Sequence, residues 1–97
     1  MNDSYPEGFA LVIGGSGGVG AAICRELVAS GVPLVLSYNI NKARAETLVS
    51  ELSLDSSGVS CCRISLRDID TLTHAVHEGV KRHGRLHSVS IATGYAT

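Results

Sequence analysis

Five glycines crowd into residues 12–20, VIGGSGGVG, directly behind the apolar run FALVI. Glycine loses more conformational freedom on folding than any other residue, so such a cluster needs a use. The use this spacing serves is a close approach of backbone to an anion. Gly15, Gly17 and Gly20 spell G-x-G-x-x-G, while Gly14, Gly18 and Gly20 spell G-x-x-x-G-x-G. The mechanics are the same in both readings. A tight turn leaves a strand, a missing side chain lets backbone reach a pyrophosphate, and the last glycine lets a helix pack on the strand. Unpaired N–H groups at the helix start then point at the phosphate. Ser16 and Val19 occupy the positions between. No Gly-Lys-Ser/Thr follows, which excludes a Walker A loop.

The other reactive side chains form no constellation. His74 and His77 are three apart on a predicted helix, but metal binding needs a third ligand nearby and the sequence offers none, so they read as a solvated face. His83 and His87 join no Ser-His-Asp or Cys-His arrangement. Cys24, Cys61 and Cys62 are an odd count and read as reduced thiols in a cytoplasmic chain. Cys24 reads as a small helical hydrophobe. Glu26, Glu46, Glu51 and Glu78 read as outer helix faces.

These residues must be positioned by alternating strands and helices. FALVI is continuously apolar, as a parallel strand buried on both faces requires. The segment from Ala21 to Ser30 carries Ala22, Ile23, Leu27 and Val28 at helical spacing, with Gly31 at its C′ position and Pro33 beyond. LVLSY, ending at Tyr38, is a second strand. Asn41 caps a second helix whose apolar stripe is Ala45, Leu48, Val49 and Leu52. VSCCRI, ending at Ile64, is a third strand. A third helix from about Asp68 places Ile69, Leu72, Val76 and Val80 on one face, and ends in Lys81, Arg82, His83 and Gly84. LHSVSIA is a fourth strand. The β-α-β-α-β-α-β pattern predicts an α/β, Rossmann-like fold with right-handed crossovers and helices on both faces. Its parallel sheet has the order 3-2-1-4, the first half of a doubly wound sheet plus one strand.

Composition narrows the classes further. The 97 residues are 44% hydrophobic and 18% charged, with a formal net charge of −1, which fits one soluble globular domain. No basic patch marks a nucleic-acid or membrane partner, and no apolar run is long enough to span a bilayer. The polar, acidic segment MNDSYPEG, residues 1–8, reads as a leader without secretory character. Residues 9–97 read as the domain.

ALVIGGSGGVGAAI, KRHGRLHSVSIATG and the spacing between them resemble the N-terminal part of the short-chain dehydrogenase/reductase family. The resemblance runs from about Phe9 to Gly94. It implies hydride transfer between NAD(P)H and a carbonyl or alcohol, a ketone or 3-oxoacyl compound being the family's commonest kind of substrate. The family's Thr-Gly-x-x-x-Gly-x-Gly falls on Ile13, Gly14, Gly18 and Gly20. Ile13 thus replaces a threonine whose hydroxyl braces the loop, and Gly17 stands where NADP-using members often carry Arg or Lys. The third strand's usual Asp and apolar residue, which contact adenine, are here Ser65 and Leu66; Ser65 can instead cap the third helix. The family's Asn-Asn-Ala-Gly turn, under the ribose and nicotinamide, reads Ile91, Ala92, Thr93 and Gly94.

A carboxylate ending the second strand would hold the ribose hydroxyls of NAD and repel a 2′-phosphate. Tyr38 and Asn39 stand there instead, which argues for NADP over NAD. Lys42 and Arg44 supply positive charge if the first turn of the second helix faces the phosphate. The resemblance implies a catalytic serine and a Tyr-x-x-x-Lys pair downstream of Gly94, so none of these 97 residues is expected to be catalytic. Tyr38 and Lys42 match Tyr-x-x-x-Lys by letter, but on the adenosine side, remote from the nicotinamide. The alternative class is a non-catalytic nucleotide-binding module or a degenerate fragment. The apolar Leu86, Val89 and Ile91 on an outer fourth strand predict self-association, or pairing with a separate partner chain, along that edge.

Overall fold

The run FALVI folds as the sequence demands: all five residues of β1 (Phe9–Ile13) are buried. In the computed structural model, which describes residues 8–14, 17–53 and 58–92, β1 is followed by α1 (Gly18–Ala29), β2 (Leu34–Tyr38), α2 (Lys42–Leu52), β3 (Val59–Arg63), α3 (Ile69–His83) and β4 (Leu86–Ile91). The four strands form one sheet in the order β3-β2-β1-β4. Every pairing is parallel, with Ala10 opposite Leu34 and Ser88, and Tyr38 opposite Arg63.

Strand alternation divides the core in two. Ala10 and Val12 of β1 and Leu34 and Leu36 of β2 pack with Ala21, Cys24, Leu27 and Val28 of α1 and Ala45, Leu48 and Leu52 of α2. Phe9, Leu11 and Ile13, with Val35 of β2, pack against Leu72, Ala75 and Val76 of α3. The helices therefore cover both faces, α1 and α2 on one and α3 on the other. Asn41 caps α2 as expected, its side-chain oxygen accepting the Arg44 N–H at 3.0 Å. Gly31 follows α1 at φ +79°.

Three sequence expectations are corrected. α1 begins at Gly18 rather than Ala21, because the backbone has already turned at Gly14 and Gly17 is extended. The next two residues after Gly17 are thus free to enter the helix with Gly20. Its buried face is accordingly shifted: Ala21 and Cys24 are buried and Ala22 is exposed. On α3, Ile69 and Val80 are exposed, by 67% and 42%. The face toward the sheet is instead Leu72, Ala75, Val76 and Gly79. The reason lies at Gly79, where a Cβ would overlap the Phe9 ring. The helix rides directly on that ring, a proximity only glycine allows. The third helix is capped by Asp68, whose carboxylate accepts the Asp70 N–H at 3.1 Å, and not by Ser65.

At the C-terminal end of α3, His83 lies against Phe9, with ring centroids 5.6 Å apart and a 44° tilt. Among the described residues its buried Nε2 has no hydrogen-bond partner. Burial, aided by neighbouring Arg82, pushes the imidazole below its ordinary value.

Two measurements test this packing. Gly79→Ala gains roughly 1 kcal/mol of helix propensity but incurs about 1–3 kcal/mol of overpacking. We expect a net loss of up to about 2 kcal/mol in urea unfolding, and a gain when the same change is made in a Phe9→Leu background. Because the His83 proton is disfavoured in the folded state, its contribution is intact above the unfolded value of about 6.5 and is lost as pH falls below it toward the lowered folded value. The melting temperature should therefore fall between pH 7.5 and 5.5, and fall less in His83→Asn.

Candidate functional site

β1 ends inside the sheet, so the chain must leave it abruptly. Gly14 makes that exit with φ +82°, a left-handed conformation in which an L side chain is strained. Its N–H donates to the buried Ser37 Oγ at 3.0 Å. Ser37 belongs to β2 and is the sole buried polar or charged residue among those described, 1% exposed. The Gly17 N–H then returns to the Gly14 carbonyl at 3.2 Å. This closes the turn, and Gly17 is the extended N-cap of α1 with no side-chain cap and no acidic residue in the helix's first turn. The first N–H groups of α1 are left to whatever lies above them, and the helix dipole makes that an anion-favouring position.

The turn is shaped for close approach. A Cβ on Gly18 would meet nothing within 4 Å, so the glycine is there to keep a space open and not to relieve packing. Val19 is 70% exposed beside it, whereas Gly20 is buried where α1 packs on the sheet. Gly18 lines one wall of a groove of about 300 Å³ between α1 and α2, with Arg44, Arg25 and Glu51 among its other walls. Arg25 and Glu51 are 3.6 Å apart across it, both largely exposed. At the other side of β1, the Ala92 N–H donates to the Ile13 carbonyl at 2.8 Å, which sets the end of β4 level with the glycine turn.

The remaining predicted positions cluster at the same C-terminal edge of the sheet. Tyr38 is half-buried, its side chain packed on the α1/α2 core. Asn39 follows it, half-buried. Ser65 is half-buried one strand over, with its backbone N–H and carbonyl both bonded to the Thr71 hydroxyl, at 2.9 and 3.2 Å. Leu66 beside it is 58% exposed. Ser16, Thr93 and Gly94 lie outside the described residues. His74 and His77 are exposed, and among the described residues no group of three His, Cys, Asp or Glu side chains could hold a metal. Lys42 is exposed at the start of α2, and the half-buried Tyr38 side chain packs on the α1/α2 core.

The cysteines are chemically quiet. Burial pushes the Cys24 thiol up to about 11 against the opposing pull of Arg25, and burial with the adjacent Cys61 does the same for Cys62. Cys61 and Cys62 are consecutive in β3 and face opposite sides of the sheet.

Two site residues escaped the sequence reading. Ser37 supplies a hydroxyl from β2, where Ile13 at the end of β1 has none; its signal is the one serine among the apolar Leu34, Val35 and Leu36 and the aromatic Tyr38. Arg63 lies beside Asn39, donating from Nε to the Asn39 carbonyl at 3.2 Å.

The family model for short chain dehydrogenases matches residues 8–96. The chain belongs to that family. Versicolorin reductase stcU of Emericella nidulans is 32% identical over 85 residues, which cover 88% of this chain and 32% of the relative. Chanoclavine-I dehydrogenase easD of Claviceps purpurea is 28% identical over 87 residues, covering 88% of this chain and 33% of the relative. A dehydrogenase/reductase structure from Sinorhizobium meliloti superposes with a TM-score of 0.86 at 31% identity, covering 96% of this chain and 37% of that one. The chain thus spans about a third of the length of the short-chain dehydrogenase relatives it matches. Members of the family are NAD(P)-dependent oxidoreductases. Among the described residues no helix is long and apolar enough to cross a membrane.

Removing the Ser37 hydroxyl leaves the Gly14 N–H buried without its acceptor, at about 1–3 kcal/mol. Ser37→Ala should lower the unfolding free energy by that amount and weaken ADP binding about tenfold, equivalent to about 1.4 kcal/mol. Ser37→Thr, which keeps the hydroxyl, should retain most of the binding. Calorimetry and urea titration measure both. Thiol labelling at pH 7.5 should spare Cys24 and Cys62 until the chain unfolds, since only the thiolate reacts.

Proposed function

We propose that residues 9–97 are the dinucleotide-binding part of a short-chain dehydrogenase, with NADP(H) preferred to NAD(H). The observation that carries this reading is the turn itself: a left-handed Gly14 tied to Ser37, followed by a helix start with open space at Gly18. Gly14, Ser16, Gly17, Gly18, Val19 and Gly20 would hold the pyrophosphate through backbone N–H groups. Tyr38 and Asn39 would border the adenosine ribose, Ser65 and Leu66 the adenine, and Ala92 and Gly94 the nicotinamide ribose. The bound cofactor supplies a hydride donor or acceptor. The chain's own residues fix its orientation and leave no side chain between backbone and phosphate.

The preference for NADP rests on charge. No carboxylate stands directly after β2, where Tyr38, Asn39, Ile40 and Asn41 leave nothing to repel a 2′-phosphate. Reduction of a carbonyl, or oxidation of an alcohol, would then require a serine and a Tyr-x-x-x-Lys pair from beyond these residues. The exposed Val89 and Ile91 of β4, 49% and 67%, support a further strand pairing at that edge, from the chain's own continuation, a second copy or a partner chain. The reduced state of three free cysteines supports a cytoplasmic setting.

Calorimetric titration of the 97-residue chain should give NADPH a Kd several-fold below that of NADH, and Gly18→Val should abolish both. Tighter NADH, or unchanged binding in Gly18→Val, refutes the reading. No nicotinamide absorbance change is expected with a panel of ketones and alcohols; turnover lost in Tyr38→Phe would instead make Tyr38 catalytic. Light scattering should show a species heavier than the monomer.

A further inference from the structure

We propose that Arg63, docked on Asn39, is the side chain that reads the 2′-phosphate of the dinucleotide and so sets cofactor choice. The inference rests on the reading that the glycine turn binds a dinucleotide, and adds a residue to it. Arg63 ends β3 directly opposite Tyr38, and the following Ile64 N–H bonds to the Tyr38 carbonyl at 2.9 Å. Its exposed side chain lies along the end of β2. Nε donates to the Asn39 backbone carbonyl at 3.2 Å and Nη2 to Asn39 Oδ1 at 3.5 Å.

Both acceptors are neutral, so the guanidinium keeps its full charge. A guanidinium carries five N–H donors. Two are used on Asn39, and three remain, enough for a forked grip on phosphate. The contact also sets Asn39. Its Oδ1 is turned to Arg63, which leaves the amide nitrogen, a donor only, on the other side. The end of β2 therefore presents donors and positive charge where an NAD-selective site presents a carboxylate.

The two cations that follow β2 in the chain, Lys42 and Arg44, each have an acid beside them on α2 or its groove. Arg44 lines its groove together with Glu51. Lys42 and Glu46 stand at i,i+4 on α2, where opposite charges are neighbours on the helix surface. Among the described residues the ion pairs are Arg25 with Glu51 and Lys81 with Glu78, and neither involves Arg63. The sequence had pointed to Lys42 and Arg44 because they follow β2 in the chain. Arg63 comes from the next strand and reaches the same place only through the sheet.

The test uses 2′,5′-ADP and ADP, which differ by the 2′-phosphate alone, titrated calorimetrically into the 97-residue chain at low salt. The wild type should bind 2′,5′-ADP about tenfold tighter than ADP. Arg63→Gln should erase that difference while leaving the ADP Kd within about twofold, and Asn39→Asp should invert it by giving Arg63 an acidic partner. Arg44→Gln should keep most of the preference. Unchanged circular-dichroism melts show that the variants fold, as expected for an exposed Arg63. A preference that survives Arg63→Gln overturns the proposal, as does a wild type that binds both nucleotides equally. A wild type that binds neither overturns the dinucleotide reading itself.

Discussion

Everything in this molecule depends on β1 being buried on both faces and hydrogen-bonded on both edges. A strand in that position has no route out except at its ends, and it must be apolar throughout. Phe9, Leu11 and Ile13 commit one face to α3, and Ala10 and Val12 commit the other to α1 and α2. The chain leaving β1 has to reverse direction to lay α1 back over the sheet. Gly14 makes that reversal at φ +82°. The turn that the fold needs for topological reasons also opens α1, and a helix start is a position that favours an anion.

The brace on that turn shows how a local departure from a family pattern is absorbed. Ile13 is buried in the α3-side core and carries no polar atom, so its side chain cannot accept a hydrogen bond from the turn. The Ser37 hydroxyl comes from the neighbouring strand and meets the Gly14 N–H across 23 residues of sequence. A buried backbone N–H is costly to leave unpaired, and the Ser37 hydroxyl satisfies it here. The requirement belongs to the turn, and a residue from the neighbouring strand meets it.

The opposite end of the sheet has its own constraint. Gly79 lets α3 sit on the Phe9 ring, and His83 closes over the same ring one turn later. This contact fixes the rotation of α3 about its axis. Ile69 and Val80 are left facing outward, although helical spacing alone would group them with Leu72 and Val76. A periodic stripe defines a helix's apolar side only to within its own width; the single tightest contact chooses the angle.

The sequence by itself determined the element order, the parallel 3-2-1-4 sheet, the glycine turn, the Asn41 cap and the absence of an acid after β2. These follow from local signals: a continuous apolar strand, helical periodicity, and glycine where a side chain would be strained. Only the tertiary structure decided where α1 begins, which face α3 presents, that Ser37 braces Gly14 and that Arg63 docks on Asn39. Ser37 meets Gly14 across 23 residues of the chain and Arg63 meets Asn39 across 24, while Gly79 meets the distant Phe9. Hydrogen bonds across neighbouring strands depend on register and on which way each side chain leaves the sheet. Neither is written in the spacing of residues along one strand.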